Sequence, residues 1–339
     1  MSSTRAIFLV NLGSPDSTAI PDVRRYLDEF LMDERVIDVP WALRRFIISC
    51  FILPFRPKKS AHAYENIWTP EGSPLVVTSK TLQKELGSRI PLKVGLGMRY
   101  GNPSIRKGLE ELLEDSSLEE IFMIPLYPHY AMSSFETVVV KAREELKALA
   151  SKVRLKVIHP FYDDPLYLDA LEASIRPHLD QPWDHFLFSY HGIPKRHLLK
   201  GDPSRAHCMK VENCCEVDCA VHKVCYRHQS VHTTQAMVRR LSIPADKYTT
   251  SFQSRLGSEE WCVPYTDQTI TKLAQSGVKR LVVACPAFVS DCLETIEEIG
   301  MEGKDNFIEH GGEEFRLIPC LNTHPAWVHA LAAWSTGRS

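Results

Sequence analysis

Three short stretches carry side chains whose types and spacing could do chemistry. "FSYHGIP" (188–194) sets His191 ahead of a glycine and a proline. A turn of that kind is rigid and holds the imidazole out at a strand end, where it can serve as base or metal ligand. "FVSDCLETIEEIGME" (288–302) places Glu294, Glu298 and Glu302 at i, i+4 and i+8, one stripe of a helix, with Asp291 just ahead. Acidic stripes are commonly solvated helix faces. Carboxylates this close also raise one another's pKa and can pass protons or bind a cation. "HCMKVENCCEVDCAVHKVC" (207–225) gathers Cys208, Cys214, Cys215, Cys219 and Cys225, half of the chain's 10 cysteines.

Disulfides, zinc, an iron–sulfur cluster and inert thiols all compete to explain that segment. The apolar run at 6–10 is too short for a signal-peptide core, and no stretch reaches transmembrane length. A cytoplasmic chain with reduced thiols is therefore expected, which puts disulfides last. The spacing C-x5-C-C-x3-C-x5-C holds one knuckle-like pair, Cys215–Cys219, whereas structural zinc sites usually show C-x2–4-C pairs. A [2Fe–2S] centre needs four thiolates and tolerates irregular spacing. Four of the five cysteines are expected to hold such a cluster, with one of Cys214 and Cys215 to spare. Structural zinc, using His222 or His228, is the alternative. Five inert thiols in a loop would be an oxidation liability.

These stretches need elements to position them. Apolar β-branched runs at 6–12, 92–98, 120–127 and 155–160, then at 185–191, 247–253, 280–286 and 315–321, read as strands between amphipathic segments. The pattern predicts an α/β chain of two Rossmann-like doubly wound domains, with four-stranded parallel sheets facing a central cleft. The expected division is 1–161, then 162–320 with the cysteine-rich insertion at 204–225, then a C-terminal helix (321–339) packing back on the first domain. The hinge is expected near "FYDDP" (161–165). Ligands of such sheets gather at strand carboxyl ends, where His191 and the acidic stripe lie.

Other strand-end loops add polar and aromatic groups: "GLGMRYG" (95–101), "LYPHYAMSS" (126–134) and "FQSRLGSEEW" (252–261). The glycines of the first are spaced G-x-G-x-x-x-G, so a tight turn is favoured over a nicotinamide site. The segment 39–59, "VPWALRRFIISCFILPFRPKK", reads by default as a buried helix, but its flanking cations also suit an interfacial lip. With 40 Lys+Arg against 42 Asp+Glu, net charge is −2, without the basic excess of a nucleic-acid binder.

Taken in order, "NLGSPDS", "EGSPL", "MRYGNP", "YPHY", "SYHGIP", "FQSRLG…W" and "FVSDCLET" resemble the loops of ferrochelatases, from about residue 5 to 335. The resemblance implies an enzyme that inserts ferrous iron into protoporphyrin IX at the end of heme synthesis. It implies His191 as the active-site histidine, Glu294 as the catalytic glutamate, both near the substrate iron, and Glu298, Glu302 and Asp291 as a proton or metal relay. Leu12, Arg99, Tyr100, Tyr130 and Ser254 match positions lining or bordering the porphyrin pocket. The lip corresponds to the apolar mouth of the cleft, in peripheral contact with the inner face of the membrane. Cys292 stands where many relatives have a histidine, and His129 replaces a common glutamine. Iron insertion into coproporphyrin, a porphyrin carrier without catalysis, and a cobalt chelatase are the competing readings.

Overall fold

Eight parallel strands form among the described residues, the central ones from Val-, Ile- and Phe-rich runs buried on both faces and the edge strands less buried. The computed structural model describes residues 4–255, 257 and 259–337. Leu256 and Ser258 of the "FQSRLGSEEW" loop, and positions 338–339 of the C-terminal segment, lie outside them. The chain divides into two compact units. One takes Met1–Leu126, Met132–His159 and Leu331–Ser339; the other takes Tyr127–Ala131 and Pro160–Ala330.

In the first unit the sheet runs β2-β1-β3-β4, with β1 Thr4–Ser14, β2 Val94–Gly101, β3 Leu118–Pro125 and β4 Arg154–Val157. β1 is its centre: Leu9 pairs with Leu96 on one side and Ile124 on the other, and Ile7 to Val10 are fully buried. β2 runs three residues past its expected end and carries Arg99 and Tyr100 to the sheet's carboxyl edge. The glycines of "GLGMRYG" pack and turn the chain. A Cβ on Gly97 would stand 2.7 Å from the Phe8 ring and 2.9 Å from Ile105 Cα, so the close approach of strand and next helix needs glycine there. Gly101 turns the chain at φ +74.

The second unit repeats the order as β6-β5-β7-β8, with β5 His185–His191, β6 Tyr248–Gln253, β7 Arg280–Ala284 and β8 Glu314–Leu317. His191 pairs with Gln253 at the shared carboxyl end of β5 and β6. β4 and β8 stop short of their expected ends. Pro160 and Pro319 follow closely and offer no N–H to a neighbouring strand.

Among the described residues, three segments wind as π-helix: Ile48–Ile52, Met132–Glu136 and Glu294–Gly303. Such windings are rare and concentrate at functional sites. Each overlaps a stretch singled out from the sequence: the lip, the "LYPHYAMSS" loop and the acidic stripe.

Candidate functional site

Strand β5 ends by presenting His191. Its Nδ1 lies 2.6 Å from the carbonyl oxygen of Gly192. A carbonyl only accepts, so Nδ1 carries a proton, and in the neutral ring the lone pair is on Nε2. Beside it, Ser254 follows β6 in a left-handed conformation, φ +59, uncommon for a residue with a Cβ. That turn aims both Ser254 donors at one carboxylate. Its amide donates to Glu298 Oε1 at 2.8 Å, and its hydroxyl donates to Oε2. Gln253 completes the corner, donating to the Glu294 carbonyl at 2.7 Å.

The π winding keeps residues four apart on one stripe. Glu294 and Glu298 are half-buried, while Glu302 is exposed, so the stripe grades from interior to solvent. Burial pushes the Glu298 carboxyl above its usual pKa. The Ser254 hydroxyl and His191 pull the other way, and the neighbouring charge of Glu294 adds to the rise. Glu298 thus feels His191 and Glu294 together.

Asp291 does something else. It accepts from Asn322 Nδ2 at 2.6 Å, the Cys320 amide at 3.1 Å and the Thr295 hydroxyl at 3.2 Å. Those bonds fasten the start of the π segment to the loop after β8. Cys292 is buried, and its thiol is pushed well above the ordinary range, first by burial and then by the Glu294 carboxylate.

In the first unit, Arg99 and Tyr100 converge on a residue that the motif reading passed over. Asp33 accepts from the Arg99 guanidinium, the Thr137 hydroxyl, the Tyr100 hydroxyl at 2.9 Å and the Arg35 amide at 2.8 Å. Burial pushes the Asp33 carboxyl up. Hydrogen bonds from Thr137 and the Arg35 amide, with the Arg99 charge, outweigh it and hold the pKa below the usual range. Tyr100, expected at a pocket wall, is fully buried, and its ring lies under Arg99 at 4.4 Å. It supports Arg99 rather than offering a face. Leu12 is half-buried near the end of β1.

Tyr130, half-buried, belongs to the second unit, its amide donating to the Gln229 side chain at 2.7 Å. Its neighbour His129 is buried among Tyr162, Tyr190 and Tyr226, and burial holds the imidazole neutral, with a pKa of about 3.

The cysteine segment opens on Asp202, whose carboxylate accepts from Ser204, His207 and Cys208. The Ser204 hydroxyl leads these bonds in holding it far below the carboxylate range. Cys208 and Cys225 bring their sulfurs to 3.9 Å. Cys215 shares thiol contacts with Cys225 and Cys214, and Arg227 donates to its sulfur at 3.5 Å. Cys219, half-buried, is not among these contacts. Burial pushes Cys208 up to about 11. His207, His222 and His228 hydrogen-bond the carbonyls of Cys214 and Cys215 at 2.6–2.9 Å. Among the described residues, no three His, Cys, Asp or Glu side chains are grouped so as to hold one metal ion.

The lip is not a buried helix. Trp41 (64%), Phe51 (63%) and Phe55 (74%) are largely exposed, while Ile48 and Leu53 anchor it inward. Among the described residues no helix is long and apolar enough to cross a membrane.

Two parallel sheets of one strand order, with an imidazole and a graded acidic stripe at strand carboxyl ends, define a chelatase-type α/β protein. The sirohydrochlorin chelatase SirB from Bacillus subtilis subspecies spizizenii, in complex with cobalt, shares the fold at TM-score 0.51 and 12% identity, over 96% of this chain and 92% of that one. Residues 4–338 match the Ferrochelatase family. The Ferrochelatase of Opitutus terrae is 52% identical over 97% of this chain and 96% of that protein; that of Stutzerimonas stutzeri is 50% identical over 96% of each. The chain belongs to the ferrochelatase family.

Proposed function

We propose that this lyase-class enzyme inserts ferrous iron into protoporphyrin IX with His191 as the first proton acceptor and Glu294, Glu298 and Glu302 as the route for protons or iron. A free-base porphyrin must lose two N–H protons before metal can enter, and its nitrogen lone pairs lie in the ring plane. In the neutral ring, His191 Nε2 offers a lone pair. Glu298, whose pKa is raised, takes a proton more readily than an ordinary carboxylate, and exposed Glu302 hands it to solvent. The observation that carries this reading is the setting of Glu298, half-buried on the stripe of Glu294 with its carboxylate held by both donors of Ser254. Ser254 positions Glu298, and Arg99, held by Asp33, is assigned with Leu12 and Tyr130 to the porphyrin's surroundings. Tyr100 and Asp291 act through their neighbours.

The test is anaerobic turnover, read as the collapse of the porphyrin bands into those of heme. His191→Ala and Glu294→Gln are each expected to lower the rate by about a hundredfold or more. Porphyrin binding without insertion by the folded, unsubstituted protein would sink the reading in favour of a carrier.

The cysteine segment suits a [2Fe–2S] cluster held by Cys208, Cys214, Cys215 and Cys225. Two sulfurs on one tetrahedral ion at metal–sulfur distances of about 2.3 Å lie about 3.8 Å apart, and Cys208 and Cys225 stand at 3.9 Å. A two-iron centre takes its thiolates in pairs, whereas zinc draws four ligands round one ion. The Cys225 thiol and burial push the Cys215 pKa up, and Arg227 beside it pulls the other way. When bound, such a group crosslinks the segment and is sensitive to redox state. Visible bands with two irons per chain support it; one zinc per colourless chain overturns it.

The exposed aromatic lip, flanked by Arg45, Lys58 and Lys59, suits a cytoplasmic protein that rests on an anionic membrane surface without crossing it.

A further inference from the structure

Beside this chemistry lies a fully buried amide that no motif marks. Gln229 sits one turn into the helix Tyr226–Leu241, which begins directly after Cys225, and is 0% exposed. Its Nε2 donates to the carbonyls of His222 (3.1 Å) and Lys223 (3.0 Å), in the short helical turn Ala220–Val224 that joins Cys219 to Cys225. Its Oε1 accepts from the Tyr130 amide at 2.7 Å. The amide cannot flip, since that would set oxygen against two carbonyls and NH2 against an N–H. One turn on, Thr233 meets His129 Nε2 at 2.9 Å, and Thr234 meets the hydroxyl of Tyr190, the residue before His191, at 2.8 Å. One helix thus touches the turn between two cysteines, the loop of Tyr130 and the strand of His191, all within the second unit.

We propose that Gln229 is a positioning residue that ties the Tyr130 loop to the cysteine segment, so that the state of the thiol group sets how well the site holds porphyrin. The proposal rests on the porphyrin and cysteine roles given above. The link is short: a shift of Cys225 moves the turn carrying the His222 and Lys223 carbonyls, and both are bonded to the side chain that holds Tyr130. Leaving any of these buried groups unpaired is costly, so the three bonds move together.

A double-mutant cycle tests this, with porphyrin dissociation constants read by fluorescence quenching in the protein as purified. Cys225→Ser is expected to weaken binding by about tenfold when Gln229 is present and by less than about twofold in the Gln229→Met background. Equal losses in both backgrounds, or no loss in either, overturn the proposal. Thr233→Val keeps Gln229 and serves as the control helix substitution: in its background the effect of Cys225→Ser should persist, and its disappearance there overturns Gln229 as the link. Should Gln229→Met or Cys225→Ser fail to fold, Gln229→Asn, too short to span Tyr130 and the turn, and Cys208→Ser complete the same cycle. Failure of the unsubstituted protein to bind porphyrin refutes the porphyrin reading itself, a different result from an additive cycle.

Discussion

At the carboxyl end of β2, a buried aspartate meets an arginine, a tyrosine, a threonine and a backbone amide. At the carboxyl ends of β5 and β6, a half-buried glutamate meets a serine, an imidazole and the charge of another carboxylate. The sheets behind the two corners share one strand order, yet one corner lowers its acid's pKa and the other raises it. Strand order therefore decides where chemistry sits, and the loops decide what it is. A carboxylate bonded to a guanidinium is fixed in charge and suits holding. A carboxyl crowded by another acid changes charge easily and suits transfer.

The comparison breaks most sharply at Asp33. Asp33→Ala should cost about 3–5 kcal/mol in a denaturant melt, because it leaves the Arg99 guanidinium without its buried counter-charge. A loss under about 1 kcal/mol would mean that the first corner is not held by this pairing. Next comes Glu298→Gln, expected to lower turnover by about a hundredfold while improving stability. The raised pKa means that the folded state keeps the Glu298 proton to higher pH than the unfolded chain does. The stability this contributes is present at acid pH and is lost as pH rises through the folded pKa. Glutamine cannot ionise, so the melting-temperature difference in favour of Glu298→Gln should widen from pH 5 to pH 8; a constant difference contradicts the raised pKa.

Ser254→Ala sharpens the same point with a smaller effect. Its hydroxyl lowers the Glu298 pKa, so its removal should move the acidic limb of the pH–rate profile upward and slow turnover several-fold, about 1 kcal/mol. An unmoved limb would separate Glu298 from the rate profile. Smallest of all, Phe55→Ser on the lip should leave stability within about 0.5 kcal/mol while reducing cosedimentation with anionic vesicles. Unchanged cosedimentation removes the lip from membrane contact.

Much of this was legible in the residues. The eight strands announce themselves as apolar β-branched runs, and only their ends shifted, where Pro160 and Pro319 cut pairing or where Arg99 and Tyr100 continued it. His191 and the glutamate stripe were visible because a Gly-Pro turn and an i, i+4 repeat are local patterns. Asp33 was not: it reads as one more charge in "LMDERV", and its four partners come from as far away as Thr137. Gln229 was hidden for a related reason, since a buried amide and a surface amide are the same letter. The π winding was invisible because an i→i+5 ladder leaves an i, i+4 stripe nearly where an α-helix would put it. The choice among five cysteines depended on contacts that spacing does not encode.

The first unit is begun first and finished last. β1 pairs with segments about ninety and more residues downstream, and Leu331–Ser339 belongs to the same unit. At about 5–20 residues per second, synthesis of the 339-residue chain takes on the order of tens of seconds. Throughout that interval the emerging first unit lacks part of itself, while the second, which ends at Ala330, is complete a few residues sooner. A chain cut before Leu331 would lose residues of the unit that opens the sequence rather than of the one that precedes them in the chain.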